Sequence, residues 1–199
     1  MRNLRVSALA IKAAVLGIGL LAADALASGQ SFLGMKPPEV NIFAGYSLVR
    51  YDSVPLGFAD KLNMNGGVLE LSLPNLYQGW GIVGDFSGHK NSQMQMFNYT
   101  VGPQYRFELK GIDLFGHLLL GKSNSRLLKV GSSIIQPSSL GFLVAMGGGA
   151  EIPIGNRFAF RAIQYDYMVN SAFQDHLHDM RFSSGLVIKF GKRSSPPSF

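Results

Sequence analysis

From Phe97 to Leu109 the chain alternates without a break. Phe97, Tyr99, Val101, Pro103, Tyr105, Phe107 and Leu109 fall on one side, and Asn98, Thr100, Gly102, Gln104, Arg106 and Glu108 on the other. A period of two is the signature of a β-strand, because successive side chains of an extended backbone point to opposite faces, whereas a helix repeats every 3.6 residues. A strand needs only about 9–11 residues to cross a bilayer at a tilt, so this run is long enough to do so. Pro103 lacks the N–H that a ladder uses, and a bulge is predicted there.

The same repeat returns along the chain. It is read in Val40–Leu48, Val68–Leu73, Trp80–His89, Leu114–Lys122, Leu140–Ile152, Phe158–Val169 and Met180–Phe190, which with Phe97–Leu109 makes eight strands. In Phe158–Val169 the parity slips, since Arg161 is odd while Gln164 and Asp166 are even; an extra residue near Ala162 would restore it. The connections at Pro74–Gly79, Leu109–Asp113 and Pro153–Arg157 read as short, and those at Tyr51–Lys61, His89–Met96, Lys122–Ser138 and Asn170–Asp179 as longer. Short turns at one end and long loops at the other fit an all-β, eight-stranded, antiparallel up-and-down transmembrane barrel with both termini on the short-turn side. A soluble ligand-binding barrel would turn the apolar face inward. The opposite face, mixing Gly45, Gly102, Gly147 and Gly185 with Asp, Glu and Arg, reads instead as a narrow polar lumen. Aromatics gather at both strand ends, with Tyr77, Trp80 and Phe158 at one and Tyr46, Phe97, Tyr99, Phe142 and Tyr167 at the other, as two interfacial girdles would.

The N-terminus fits this destination. Arg2 and Arg5 precede an apolar stretch, Ala13–Ala23, and Ala25-Leu26-Ala27 has the small-x-small form of a signal-peptidase site. The expected organisation is a signal peptide over 1–27, a barrel over 28–191 and a short basic tail over 192–199. Only 15% of residues are charged, against roughly 25% in soluble domains. There is no cysteine, which removes disulfides, thiol catalysis and thiolate metal sites. The net charge of +6 is scattered and forms no nucleic-acid stripe. No cofactor is expected. Gly147-Gly148-Gly149 lies inside a strand pattern, not in a phosphate loop. His176 and His178, with Asp175 and Asp179, read as solvated loop residues and not as metal ligands.

Three stretches carry a resemblance: Trp80-Gly81-Ile82-Val83-Gly84-Asp85-Phe86-Ser87-Gly88-His89, Gly102-Pro103-Gln104-Tyr105-Arg106-Phe107, and Arg161-Ala162-Ile163-Gln164-Tyr165-Asp166-Tyr167 followed by Leu186–Gly191. Together they resemble the small outer-membrane β-barrels of the OmpA/OmpX type, in the single-domain, porin-family versions found in Acidobacteria. The resemblance implies a monomer inserted by the outer-membrane assembly machinery. The last strand, ending in Phe190, is similar to the C-terminal signal that machinery reads. Outer-membrane lipid and lipopolysaccharide are the expected surroundings.

Function is sought on the lumenal face, where Glu70, Asp85, Arg106, Glu108, Glu151, Arg161, Asp166, Arg181 and Lys189 nearly balance in charge. An eight-stranded barrel is just wide enough to be filled by its own side chains. Two layers of paired charges are predicted: Glu70, Arg106, Glu108, Glu151, Arg161 and Lys189 toward the short turns, and Asp85, His89, Asp166 and Arg181 toward the loops. The leading reading is a non-enzymatic barrel with a structural or surface-interaction role exercised through its loops. One alternative is a low-conductance channel gated by the lumenal salt bridges. Another is a lipid-modifying enzyme using Ser87 and His89, but these share the inward face with Asp85, away from any acyl chain. The loop charges, Arg50, Asp52, Asp60, Lys61, Lys90, Lys122, Arg126, Lys129, Asp175 and Asp179, name no ligand by themselves.

Overall fold

In a computed structural model of the chain, residues 39–54, 60–128, 138–171 and 177–191 are described. The proposed signal peptide and tail, and the loop residues Lys129, Asp175 and His176, lie outside them. Eight strands run in order: β1 Val40–Tyr51, β2 Leu62–Tyr77, β3 Trp80–Lys90, β4 Met94–Leu109, β5 Ile112–Leu127, β6 Ser138–Ile154, β7 Phe158–Asn170 and β8 Leu177–Phe190. Each pairs antiparallel with its neighbours, and β1 closes onto β8 through eleven residues, from Val40↔Phe190 to Arg50↔Met180. Closure leaves no strand edge unpaired, the condition for a sheet to lie in hydrocarbon. Among the described residues no helix is long and apolar enough to cross a membrane.

The two faces of the wall are opposite in chemistry. Outward positions carry large apolar side chains such as Val101, Phe142, Met146 and Leu186, each more than half exposed. Inward positions bury Arg161, Arg181, Glu151 and Asp166 at 1% or less. A soluble barrel would show the reverse, since exposing so wide an apolar band to water is costly. The barrel is therefore a transmembrane one, with lipid outside and charge inside. Trp80 packs edge-on to Tyr105 at 5.1 Å in the girdle at the turn end.

Local sequence explains the connections. At the turns Lys110-Gly111 and Gly155-Asn156-Arg157, Gly111 and Gly155 have φ of +81° and +72° with nothing within 4 Å of a would-be Cβ. The backbone angle alone selects glycine there. The turn between β2 and β3 is tighter than read, because β2 runs on to Tyr77, with a register shift between Leu73 and Tyr77, and Asn75 accepts a hydrogen bond from the Gly79 N–H at 2.8 Å. At the other end, the connection expected to be long between His89 and Met96 is only Asn91-Ser92-Gln93. The Asn91 carboxamide oxygen accepts the N–H groups of Gln93 at 2.9 Å and Met94 at 2.7 Å, an Asx turn that substitutes for backbone pairing.

Two irregularities were foreseen in the sequence, and they part company. Ala150 pairs with Ile163 while Glu151 pairs with Arg161, and on the far side Arg161 pairs with Gly185 while Gln164 pairs with Ser183. Ala162 is thus the extra residue of a bulge, as read. No bulge forms at Pro103. It pairs with Ile82 in unbroken register on β3, and on the β5 side pairing lapses at Gly102 and Pro103 and resumes in the same register, Val101↔Leu120 before and Gln104↔His117 after. The missing donor costs a rung but adds no residue.

Candidate functional site

The bulge at Ala162 builds the centre of the lumen. By shifting parity it turns both Arg161 and Gln164 inward, fully buried, and leaves Ala162 and Ile163 facing out. The Arg161 guanidinium lies between the rings of Phe43, at 3.8 Å, and Phe115, at 4.4 Å, a cation–π sandwich in a desolvated site. Its edges are taken by carboxylates. Nη2 and Nε donate to Glu151 Oε1 at 2.8 and 3.1 Å, and Nη1 donates to Glu70 Oε2 at 2.5 Å and also to Gln164 Oε1. On the turn side, Arg106 forks onto Glu151 with Nη1 to Oε2 at 2.7 Å and Nη2 to Oε1 at 3.3 Å. Beyond it Lys189 Nζ reaches Asp113 Oδ2 at 2.9 Å, with Arg106 Nη1 3.9 Å from the same oxygen.

Toward the loops a second cation organises a second set. Arg181 donates from Nε to Asp166 Oδ2 at 2.8 Å and from Nη1 to Asp85 Oδ1 at 2.9 Å and Ser87 Oγ at 3.0 Å, while Nη2 makes an ion contact with Asp85 Oδ2 at 2.7 Å. His117 Nε2 bonds Asp166 Oδ1 at 2.6 Å. The two sets are not separate layers. Gln164 Nε2 donates to Glu70 Oε1 at 2.8 Å and to Asp166 Oδ2 at 3.0 Å, joining them into one network. Charges buried this deeply cost several kcal/mol each when unpaired, and here each has an opposite charge in contact, although among the described residues Arg106 Nε, Arg181 Nη2 and Asp85 Oδ2 have no hydrogen-bond partner.

Of the nine charges assigned to the lumen from sequence, eight meet in this network. Glu108 is half-buried at the turn end, opposite Asp113 in the ladder. Asp113, His117 and Gln164 were missed as members. Asp113 sat at a predicted turn, His117 stood alone in a strand apolar on both faces, and Gln164 became visible only once the bulge was placed. Asp179, read as a solvated loop residue, is fully buried, and its Oδ1 accepts the Asp52 N–H at 2.8 Å.

Above the network the lumen changes character. Val49, Met64, Met96, Leu119, Leu143 and Met168 pack inside the wall on the loop side, with Tyr51, Met94, Leu127 and Leu177 closer to the strand ends. This apolar, methionine-rich collar departs from the uniformly polar lumen expected. Methionine fits irregular gaps because it is unbranched and flexible. His89 Nε2 is 2.9 Å from Ser47 Oγ, not from Ser87, and Ser47 in turn accepts from Ser183 at 2.9 Å. Ser87 serves Arg181 instead, so the Ser87/His89 pair of the enzyme reading is not assembled, and both side chains are buried in the lumen.

The loop-side ends of the strands carry a different set. Arg50, Lys61, Lys90, Lys122 and Arg126 are exposed there. Arg50, Lys90, Lys122 and Arg126 belong to strand ends and not to the loops to which they were assigned. His178, also on a strand, bonds Tyr167 Oη through Nδ1 at 2.6 Å.

No protein-family model and no curated protein sequence matches the chain. Solved structures do share its fold. Neisserial surface protein A is 12% identical with a TM-score of 0.57, the match covering 76% of this chain and 96% of that one. Ail, the attachment invasion locus protein of Yersinia pestis, is 20% identical with a TM-score of 0.52 over 78% of this chain and 100% of that one. The structure of Ail in complex with the heparin analogue sucrose octasulfate is 22% identical with a TM-score of 0.51 and the same coverage. The likeness is one of architecture: this chain has the fold of the small eight-stranded outer-membrane barrels, and with its apolar exterior and charged interior it is an outer-membrane barrel protein.

Proposed function

We propose that the protein is a non-enzymatic outer-membrane barrel that works from its outer surface, with residues 1–27 as its export signal, 28–191 as the barrel and 192–199 as a periplasmic tail. The observation that carries this reading is the filled lumen: among the described residues a continuous ion-pair network and an apolar collar occupy it, which favours interaction at the rim over passage through the barrel. The loop-side rim bears Arg50, Lys61, Lys90, Lys122 and Arg126, with Asp52 and Asp60 as the nearby carboxylates. Such a belt suits a layer of phosphorylated lipid, and lipopolysaccharide in the outer leaflet is the partner that chemistry favours. Ail has been crystallised with a heparin analogue, and a cationic rim would suit sulfated or phosphorylated sugars here as well. Assembly would proceed through the outer-membrane insertion machinery, which would read the strand ending in Phe190, and the barrel would act as a monomer.

The test has two parts. Protein refolded into detergent is run on a gel with and without boiling, since a closed barrel resists the gel detergent and migrates differently; no shift would end the membrane reading. The folded protein is then recorded in planar bilayers, where silence is expected. Unitary steps that appear when Arg106 or Arg161 is neutralised would establish the gated channel instead. Altered lipid profiles that vanish with His89→Ala would establish an enzyme.

A further inference from the structure

Arg50, Lys61, His178 and Met180 line a cleft of about 140 Å³ on the outside of the barrel, where β8, β1 and the start of β2 meet at the loop end. It holds the volume of a few water molecules at about 30 Å³ each. We propose that this cleft binds a phosphate monoester carried by an outer-leaflet lipid; the inference rests on the outer-leaflet reading above and sharpens it to one site.

The chemistry comes from three donors. Among the described residues Arg50 forms no hydrogen bond or ion pair, although it stands beside Met180 in the β1–β8 ladder, so its planar fork is available to two oxygens of a phosphate. Lys61 Nζ lies 3.5 Å from Asp52 Oδ2. That carboxylate offsets one of the two positive charges and leaves the cleft with a net cation. His178 is oriented by its neighbour: its Nδ1 and the Tyr167 hydroxyl share a hydrogen bond at 2.6 Å, and the two rings stack at 5.9 Å between centroids. In the tautomer in which Nδ1 accepts, Nε2 carries the ring hydrogen and supplies the third donor to the anion. Such an ordered, charge-assisted set is what distinguishes an oxoanion site from scattered surface lysines.

Depth fixes the source of the anion. Tyr46, in the loop-side aromatic girdle, lies on the outer face of β1 four residues before Arg50, and its hydroxyl bonds Asn65 Oδ1 at 2.7 Å. Four residues of strand span roughly 13 Å, or about 10 Å along the membrane normal at the usual tilt of about 40°. Arg50 therefore stands above Tyr46 toward the loops, beside its ladder partner Met180, which in turn pairs with Tyr167 of the girdle, and this position at the girdle's upper edge is the headgroup layer of the proposal. A phosphate attached to a lipid reaches this position from the side, whereas a soluble sulfate or phosphate ester would come from above.

The experiment compares the full chain with the Arg50→Gln/Lys61→Gln double variant and with His178→Phe. Each protein is placed in phosphatidylcholine nanodiscs with and without phosphatidic acid, a phosphate monoester, and lipid retention is measured by native mass spectrometry alongside the NMR signals of the His178 ring. Selective retention of phosphatidic acid, weakened about tenfold or more by the double variant and less by His178→Phe, is expected. Titration with inorganic phosphate and with sucrose octasulfate separates the sources: a soluble anion that binds as well as the lipid, with the same loss in the double variant, would keep the oxoanion site and overturn its lipid source. Equal retention by wild type and double variant, or none by either, would overturn the site. Because all three proteins are first checked for the heat-dependent gel shift, failure here is separable from failure of the barrel reading.

Discussion

Arg161→Met isolates the contribution of the buried ion network. The guanidinium is 1% exposed and holds Glu70 and Glu151 while lying between Phe43 and Phe115. Methionine keeps much of the apolar contact with the two rings but removes the charge. Glu151 retains the fork from Arg106, so the loss falls mainly on Glu70, which is left with the hydrogen bond from the Gln164 amide. Removing one partner of a buried pair costs about 3–5 kcal/mol, with the lost cation–π attraction of about 1–2 kcal/mol partly within that figure. A net loss of about 4 kcal/mol is expected. Urea unfolding from lipid vesicles, followed by the fluorescence of Trp80, the only tryptophan, reads it directly: with a slope of about 2 kcal/mol per molar, the midpoint falls by about 2 M. Adding Glu70→Gln in the Arg161→Met background removes the stranded carboxylate and is expected to restore about half of the loss. A fall below about 1 kcal/mol in the single variant, or no recovery in the double, would refute the reasoning, because the network would then be contributing shape and not charge compensation.

Three further predictions use the same unfolding assay, gel shift or bilayer recording. At Gly102 a Cβ would stand 1.9 Å from the Leu118 carbonyl oxygen, a backbone atom with nowhere to go; Gly102→Val is expected to cost about 3 kcal/mol or more, whereas Gly67→Ala, with its nearest atom at 3.6 Å, is expected to stay within about 1 kcal/mol of wild type. Deleting Ala162 removes the bulge residue and turns either Arg161 or Gln164 toward lipid, so the heat-dependent gel shift is expected to disappear, while Ala162→Val, facing out, keeps it. Arg106→Gln is expected to leave planar bilayers silent, because the apolar collar of Met64, Met96, Leu119 and Met168 still closes the lumen above the altered pair; unitary steps would locate the barrier in the salt bridges.

What could be read from the sequence follows from what an eight-stranded wall demands. Parity is dictated by lipid on one side and a shared lumen on the other, so strand faces, the Ala162 slip and most lumenal charges were legible one strand at a time. Strand ends were not, because beyond the apolar band both faces turn polar: Ser123–Leu127 reads as loop, yet Ser123 and Ser125 face inward while Asn124 and Arg126 face outward on a strand that pairs with β4 to its end. Partnership across the lumen was not legible either, since it depends on how far the closed ladder staggers each strand. That stagger sets Gln164 between Glu70 and Asp166, residues 94 positions away and two positions away respectively, and gathers methionines from β2, β4 and β7 into one collar. The same logic places the candidate anion cleft. Arg50 and His178 are far apart in sequence and each reads as a stray surface polar residue, but they lie on neighbouring strands because the first strand must close onto the last. A barrel has one such seam, and this chain sets an exposed arginine and a tyrosine-bonded histidine beside it in one cleft.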